Sequence, residues 1–151
     1  MSKYVLQEER IQWRDSAMSW QEAIKISAAP LLQEGVIKDS YVDAMITNIK
    51  ELGPYILIAP KVALPHARPE NGVNEAGFSL TVFKDPVIFP AKTNGAGEEA
   101  NLFICLAAVD SESHLSMLQK ISGWLSDEKT LQNLTKASSQ EEVSRIVASF
   151  Q

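Results

Sequence analysis

The sequence predicts an α/β fold, a single domain spanning 1–151 in which a mixed central β-sheet of about five strands is flanked by helices on both faces. Three features of the 151-residue chain carry that reading. Short apolar runs rich in β-formers are grouped in the middle, helical apolar spacing with capping residues occupies both ends, and no repeat, low-complexity stretch or linker divides the chain. Strands grouped centrally argue against the strict strand–helix alternation of an all-parallel sheet.

The first helix is predicted from Ser19-Trp20-Gln21-Glu22, a capping box in which the Ser19 hydroxyl accepts from the Glu22 amide and the Glu22 carboxylate returns to the Ser19 amide. Ala23, Ile24, Ile26, Leu31 and Leu32 form its apolar face, Pro30 is expected to kink it, and Gly35 stops it. Ser40-Tyr41-Val42-Asp43 opens a second helix, with Tyr41, Met45, Ile49 and Leu52 at helical spacing and Gly53-Pro54 closing it. Tyr55–Ala59 then reads as a buried strand ended by Pro60, Val62-Ala63-Leu64 as a brief extended piece, and Pro65–Gly72 as a constrained loop. Gly77–Phe83 and Pro86–Phe89 read as two strands joined by Lys84-Asp85, Thr93–Ala96 as a turn, and Asn101–Val109 as the central strand. A helix capped by Ser113 or Ser111 follows, presenting Leu115, Leu118, Ile121, Trp124 and Leu125 on one face. A shorter helix fits Asp127–Lys136, and a second capping box, Ser139-Gln140-Glu141-Glu142, starts a terminal helix with Val143, Ile146, Val147 and Phe150 buried. Trp13, Trp20 and Trp124 are expected as core anchors.

Composition narrows the function. Fourteen Lys and Arg against 19 Asp and Glu leave a net charge of −5, which argues against a nucleic-acid or anionic-lipid surface while leaving a basic protein partner open. No apolar run approaches the roughly 20 residues of a membrane span, so membrane insertion is not expected. The first ten residues mix Lys3, Glu8, Glu9 and Arg10 and lack the apolar core of a signal peptide. The single cysteine, Cys105, lies in an apolar run and reads as a buried inert thiol. The expected compartment is the cytosol.

The two histidines, His66 and His114, each follow a strand region, where sites of open α/β sheets gather. Neutral imidazole is a competent nucleophile near pH 7. Arg68, two residues beyond His66, can offer a fork of donors to phosphoryl oxygens, and the first amides of the helix beginning near Ser113 would face the same anion. That set suits phosphoryl transfer, which depends on positioning and charge stabilisation and here needs no metal or cofactor. The ordinary alternatives are a hydrogen-bonding loop histidine, a helix-start histidine at the first or second position, an Arg68 that is solvated or paired with Glu70, and an Asp110 that serves as a helix cap or turn residue. A metal site from His66, His114, Asp110 and Cys105 would underlie a hydrolase, but no paired ligands stand at short spacing. No Gly-x-Ser-x-Gly elbow supports a serine hydrolase.

From Gly53 to Val73, through Pro65-His66-Ala67-Arg68-Pro69-Glu70-Asn71-Gly72-Val73, the sequence resembles the mannitol/fructose class of enzyme IIA domains of the bacterial sugar phosphotransferase system. The Pro-His-x-Arg-Pro-Glu-x-Gly-Val form is most similar to the ascorbate-type branch. The likeness continues in Trp20-x-x-Ala23-Ile24, Ala107-Ala108-Val109-Asp110, His114-Leu115 and Leu118. The resemblance implies that His66 takes a phosphoryl group from the phosphocarrier HPr and passes it to a cysteine of the cognate enzyme IIB, with the membrane enzyme IIC as an indirect partner. It implies that His114 assists without being the stable carrier and that Arg68 is the basic group beside the nucleophile. Ala67 stands where many relatives have glycine, and its methyl narrows the loop's conformations. Cys105, within a strand, does not match the phosphocysteine of IIB. The expectation is a free-standing IIA component for L-ascorbate, with galactitol, mannitol and fructose as competing sugars. A regulatory module using the same phosphohistidine to control a partner protein is the alternative.

Overall fold

The computed structural model describes residues 6–90 and 98–151, so the turn expected at Thr93–Ala96 lies outside the described residues. Five strands form one mixed sheet: β1 (Ile11–Arg14), β2 (Leu57–Ala59), β3 (Lys61–Ala63), β4 (Gly77–Phe89) and β5 (Glu98–Ala107), ordered β1-β4-β5-β3-β2. The β1–β4 and β3–β5 pairs are parallel, and β4–β5 and β2–β3 are antiparallel. The helices are α1 (Trp20–Gln33), α2 (Asp39–Leu52), α3 (Ser111–Leu125), α4 (Glu128–Thr135) and α5 (Gln140–Phe150).

Strand β5 holds the centre, and its alternating side chains divide between two cores. Phe103, Cys105 and Ala107 pack with Ala23, Ile24 and Leu31 of α1 and Tyr41, Met45 and Ile49 of α2. Leu102, Ile104 and Leu106 pack with Met117, Ile121 and Trp124 of α3, Leu134 of α4 and Val143 and Val147 of α5. Helices therefore cover both faces, as the sequence predicts.

The strands differ from expectation in three places. β1 lies in a segment read as preceding any regular element; four residues are too few to show a period, and they extend only because they pair in parallel with Leu80–Phe83. Gly77–Phe83 and Pro86–Phe89 are one strand, β4, because Lys84, Asp85 and Pro86 form an exposed irregularity between Val82 and Val87 and pairing with β5 resumes beyond it. Tyr55–Ala59 is not a fully buried strand: only Leu57–Ala59 pairs, at the sheet edge, and Ile58 is 49% exposed although Ile56 is buried.

Helix ends follow the capping logic with shifts. Ser19 and Ser139 accept from the Glu22 and Glu142 amides, but the carboxylates reach the amides of Met18 and Ser138, one residue before the expected Ser19 and its equivalent. Both N-caps are extended, near φ −160°, which brings the preceding amide within reach. The α1 helix runs through Pro30, whose missing N–H frees the Ile26 carbonyl; the Gln12 side-chain amide of β1 donates to that carbonyl at 2.8 Å. Gly35, at φ 75°, closes α1 with Val36 N–H on Leu31 O and Gly35 N–H on Leu32 O, the left-handed stop expected of it. Helix α2 starts at Asp39, after Lys38, and the Ser40 hydroxyl donates instead to Asn71 O of the loop after β3. Gly72 makes that contact possible: at φ 135° a Cβ there would meet Ser40 Oγ at 2.6 Å.

Two residues at the predicted helical spacing are exposed, Leu52 by 59% and Leu115 by 57%. On α3 the buried stripe is Ser113, Met117, Ile121 and Trp124. Trp124 is buried beside Phe78, while Trp13 and Trp20 are partly buried, Trp13 donating to Ala137 O. No helix among the described residues is long and apolar enough to cross a membrane.

Candidate functional site

The two histidines meet because their strands are parallel neighbours. The loop after β3 carries His66, the turn after β5 leads into α3 and His114, and the β3–β5 pairing sends both chain segments to the same end of the sheet. The rings lie 6.0 Å apart between centroids. A cleft of about 720 Å³ opens over them, lined by His66, Ala67, Arg68, Pro69 and Glu70 from the loop. Ala108 to Ser111 and His114 close one side, and Asn48, Leu52 and Tyr55 the other.

His66 is half-buried and its tautomer is fixed. Its Nδ1 lies 2.6 Å from the Leu64 carbonyl, which can only accept, so Nδ1 carries the proton and Nε2 is the basic nitrogen. Burial lowers the imidazole pKa below its usual 6.5; the Leu64 carbonyl opposes this and the neighbouring His114 adds to it. Tyr55 stands edge-on to the ring at 5.2 Å and donates its hydroxyl to the His66 carbonyl. Burial raises the Tyr55 hydroxyl pKa, with Asn48 hydrogen-bonded to it and acting in the opposite sense.

His114 is positioned by a helix start other than the expected one. Asp110, not Ser113 or Ser111, is the N-cap, and the box is reciprocal: Asp110 Oδ1 accepts from the Ser113 amide at 2.8 Å while the Ser113 hydroxyl accepts from the Asp110 amide. A carboxylate satisfies a helix-start amide and suits its positive end, so aspartate outcompetes the serines. His114 is consequently the fourth helical residue, not the first or second, and its amide makes the first intrahelical bond, to Asp110 O. With the Ser113 amide occupied, the open donors of α3 are the amides of Ser111 and Glu112.

Arg68 lines the same cleft and is exposed. Among the described residues its guanidinium has no ion-pair partner, Glu70 included; the ion pair present there is Arg10–Glu34. A cation that lines the cleft with no ion-paired carboxylate is available to an anion.

No three His, Cys, Asp or Glu side chains gather as a metal-holding group among the described residues. Cys105 is fully buried on the α1–α2 face, and burial pushes its thiol up to about 12, so the set His66, His114, Asp110 and Cys105 does not assemble. Sequence reading missed Tyr55, Asn48, Leu52 and Val109. Leu52 reads as one apolar position at helical spacing and Tyr55 as part of a buried strand, and the signal against burial is their position beside the Gly53-Pro54 break. Val109, the last residue of the expected central strand, is 44% exposed beyond the end of β5.

The chain is similar to known proteins over most of its length. A family model described as "Phosphoenolpyruvate-dependent sugar phosphotransferase system, EIIA 2" matches residues 4–150. A mannitol-specific cryptic phosphotransferase enzyme IIA component of Escherichia coli strain K12 is 40% identical over 133 residues, covering 88% of each chain. The ascorbate-specific EIIA component of the same strain is 34% identical over 134 residues, covering 88% of this chain and 85% of its own. The solution structure of the mannitol-specific cryptic enzyme IIA from Escherichia coli superposes with a TM-score of 0.86 at 38% identity, covering 95% of both chains. A complex of enzyme IIAMTL with phosphorylated enzyme IIBMTL from Escherichia coli gives 0.77 at 25% identity, covering 97% of this chain and 99% of that one.

Proposed function

The chain belongs to the EIIA type 2 family of the phosphoenolpyruvate-dependent sugar phosphotransferase system, a family of phosphotransferases that carry phosphohistidine, and from that premise we propose that His66 is its phosphoryl carrier. The proposal takes residues 1–151 as one such domain. The observation that carries it is the Nδ1 contact to Leu64 O, which makes Nε2 the nucleophile in a cleft shared with His114 and Arg68.

In the proposed cycle the Nε2 lone pair of neutral His66 attacks the phosphorus of phosphohistidine on HPr. The donor's N–P bond breaks and its electron pair returns to the donor imidazole. The phosphoryl group is held as a phosphoramidate on Nε2 while Nδ1–H stays on the Leu64 carbonyl, stabilising the charge the ring acquires. A thiolate of enzyme IIB then attacks phosphorus from the opposite side, the N–P bond breaks, and His66 returns neutral. Arg68, His114 and the open α3 amides neutralise the moving phosphoryl charge, and the exposed apolar side chains of Leu52, Tyr55 and Val109 along the cleft exclude water when a partner docks. Docking on IIB is supported by the complex formed by the enzyme IIAMTL relative. Enzyme IIC is the indirect membrane partner, and the proposed setting is the cytoplasm, where phospho-HPr is the donor.

For the sugar, the Pro65–Val73 block favours L-ascorbate, and the 40% identity to the mannitol-specific cryptic relative favours mannitol as the second reading. Uptake assays with the cognate IIB and IIC and each sugar decide between them. The carrier role itself is tested by incubation with phosphorylated HPr and mass spectrometry. Acid-labile phosphate is expected on His66, and label retained by a His66→Ala variant contradicts the assignment.

A further inference from the structure

Beyond Ala63 the β3–β5 ladder leaves a half-made rung. Its last pair is Ala63 with Phe103, and in the same register His66 falls opposite Leu106. A parallel bridge there needs two bonds, Leu106 N–H to Pro65 O and Ala67 N–H to Leu106 O. The first is present at 2.9 Å. In place of the second, the Tyr41 hydroxyl from α2 is inserted: it accepts from the Ala67 amide at 2.9 Å and donates to Leu106 O at 2.7 Å, with the Ala67 carbonyl 3.2 Å away.

We propose that Tyr41 is a positioning residue, whose hydroxyl stands in for one rung of the β3–β5 ladder and so sets how far the His66 backbone stands off the sheet. The inference rests on the reading of His66 as the phosphoryl carrier. Tyr41 is fully buried in the α1–α2 core, so its ring is fixed and the distance it imposes is fixed with it. Burial raises the pKa of this hydroxyl, with smaller contributions from Cys105 and Tyr55 in the same sense and the Ala67 backbone opposing, which keeps its proton available for Leu106 O. Without the oxygen, the Ala67 amide and Leu106 carbonyl are left facing each other and satisfy one another by closing directly. That closure draws the loop onto β5 and moves His66 relative to His114, which is anchored separately by α3. Tyr55 holds the same peptide through its other end, donating to the His66 carbonyl while Tyr41 accepts from the Ala67 amide, so the single His66–Ala67 peptide is clasped by two phenols.

Tyr41→Phe keeps the ring and removes only the inserted atom. With phospho-HPr as donor, the variant is expected to accept phosphate about ten- to a hundred-fold more slowly, as for a misplacement of under an ångström or so. With phosphoramidate, a small donor that needs no docked geometry, its rate is expected to stay within about twofold of the parent. Equal rates with phospho-HPr, or an equal fall with both donors, overturn the proposal. A His66→Ala control that still takes label overturns the carrier reading instead. The positioning claim is then decided by hydrogen exchange: the Ala67 amide of the unmodified protein is expected to be strongly protected and in NMR contact with a slowly exchanging Tyr41 hydroxyl proton. An unprotected Ala67 amide overturns it, and the same measurement serves if Tyr41→Phe does not fold.

Discussion

A histidine nucleophile must be uncharged at working pH, and His66 is biased that way by burial first, with His114 adding to the effect and the Leu64 carbonyl opposing it. Its NMR titration midpoint is expected below the ordinary 6.5, and phosphoryl acceptance should hold its rate to a correspondingly lower pH; a midpoint at or above 6.5 contradicts the burial argument. The sign for stability follows. The unfolded chain, with an imidazole pKa of about 6.5, binds the proton first as pH falls, so this group costs stability through that window, and the loss is complete below the folded-state value. His114→Ala is expected to slow transfer on the order of a hundredfold with circular dichroism unchanged, and an unaltered rate removes its assisting role. Both histidines and Arg68 were legible as residues with suitable chemistry. Nε2 was the expected reacting nitrogen, but the group that holds the tautomer was not legible, since it is a carbonyl two residues away that only the folded loop turns back onto Nδ1.

At the scale of elements, the sequence offered Ser113, Ser111 and a cap or turn role for Asp110 at the start of α3, and the structure gives the cap to Asp110. Asp110→Ala is expected to cost about 1 kcal/mol, or a fall in Tm of roughly 2–4 °C for a domain of this size. Transfer should slow as well, because His114 stands one turn into the helix that Asp110 starts. A variant with wild-type Tm shows the cap to be dispensable. Strand β1 was illegible for a different reason. Its Gln12 is fixed by the Ile26 carbonyl that Pro30 frees and by Thr81 Oγ1, partners 14 and 69 residues away. Leu52 and Leu115 fall on helices as their spacing predicts, yet both are exposed. Amphipathic spacing states which residues share a face and not whether a neighbour covers it.

Across the whole molecule, the two cores meet at β5, where Phe103 packs edge-on to Phe83 at 5.2 Å and stacks near Phe89 at 5.9 Å. Phe103→Ala is expected to cost about 3–5 kcal/mol, a large share of the roughly 5–15 kcal/mol a domain holds, and to lower the urea midpoint accordingly. An unchanged midpoint would show that this layer is not close-packed. The same strand carries the chain to the site, so destabilisation here should reach activity through the folded fraction and leave His66 titration in the folded molecules unchanged.

Composition, capping residues and period determined the α/β class, the middle position of the strands, the helices at both ends and the identity of the two histidines. Each of these depends on local steric preference and on burial summed over neighbours in the chain. The meeting of His66 with His114, the hydroxyl of Tyr41 in the ladder and the exposure of Leu52 and Leu115 were decided by the tertiary structure. They depend on which strands become parallel neighbours and which faces remain uncovered, and those outcomes are set by pairings between residues tens of positions apart.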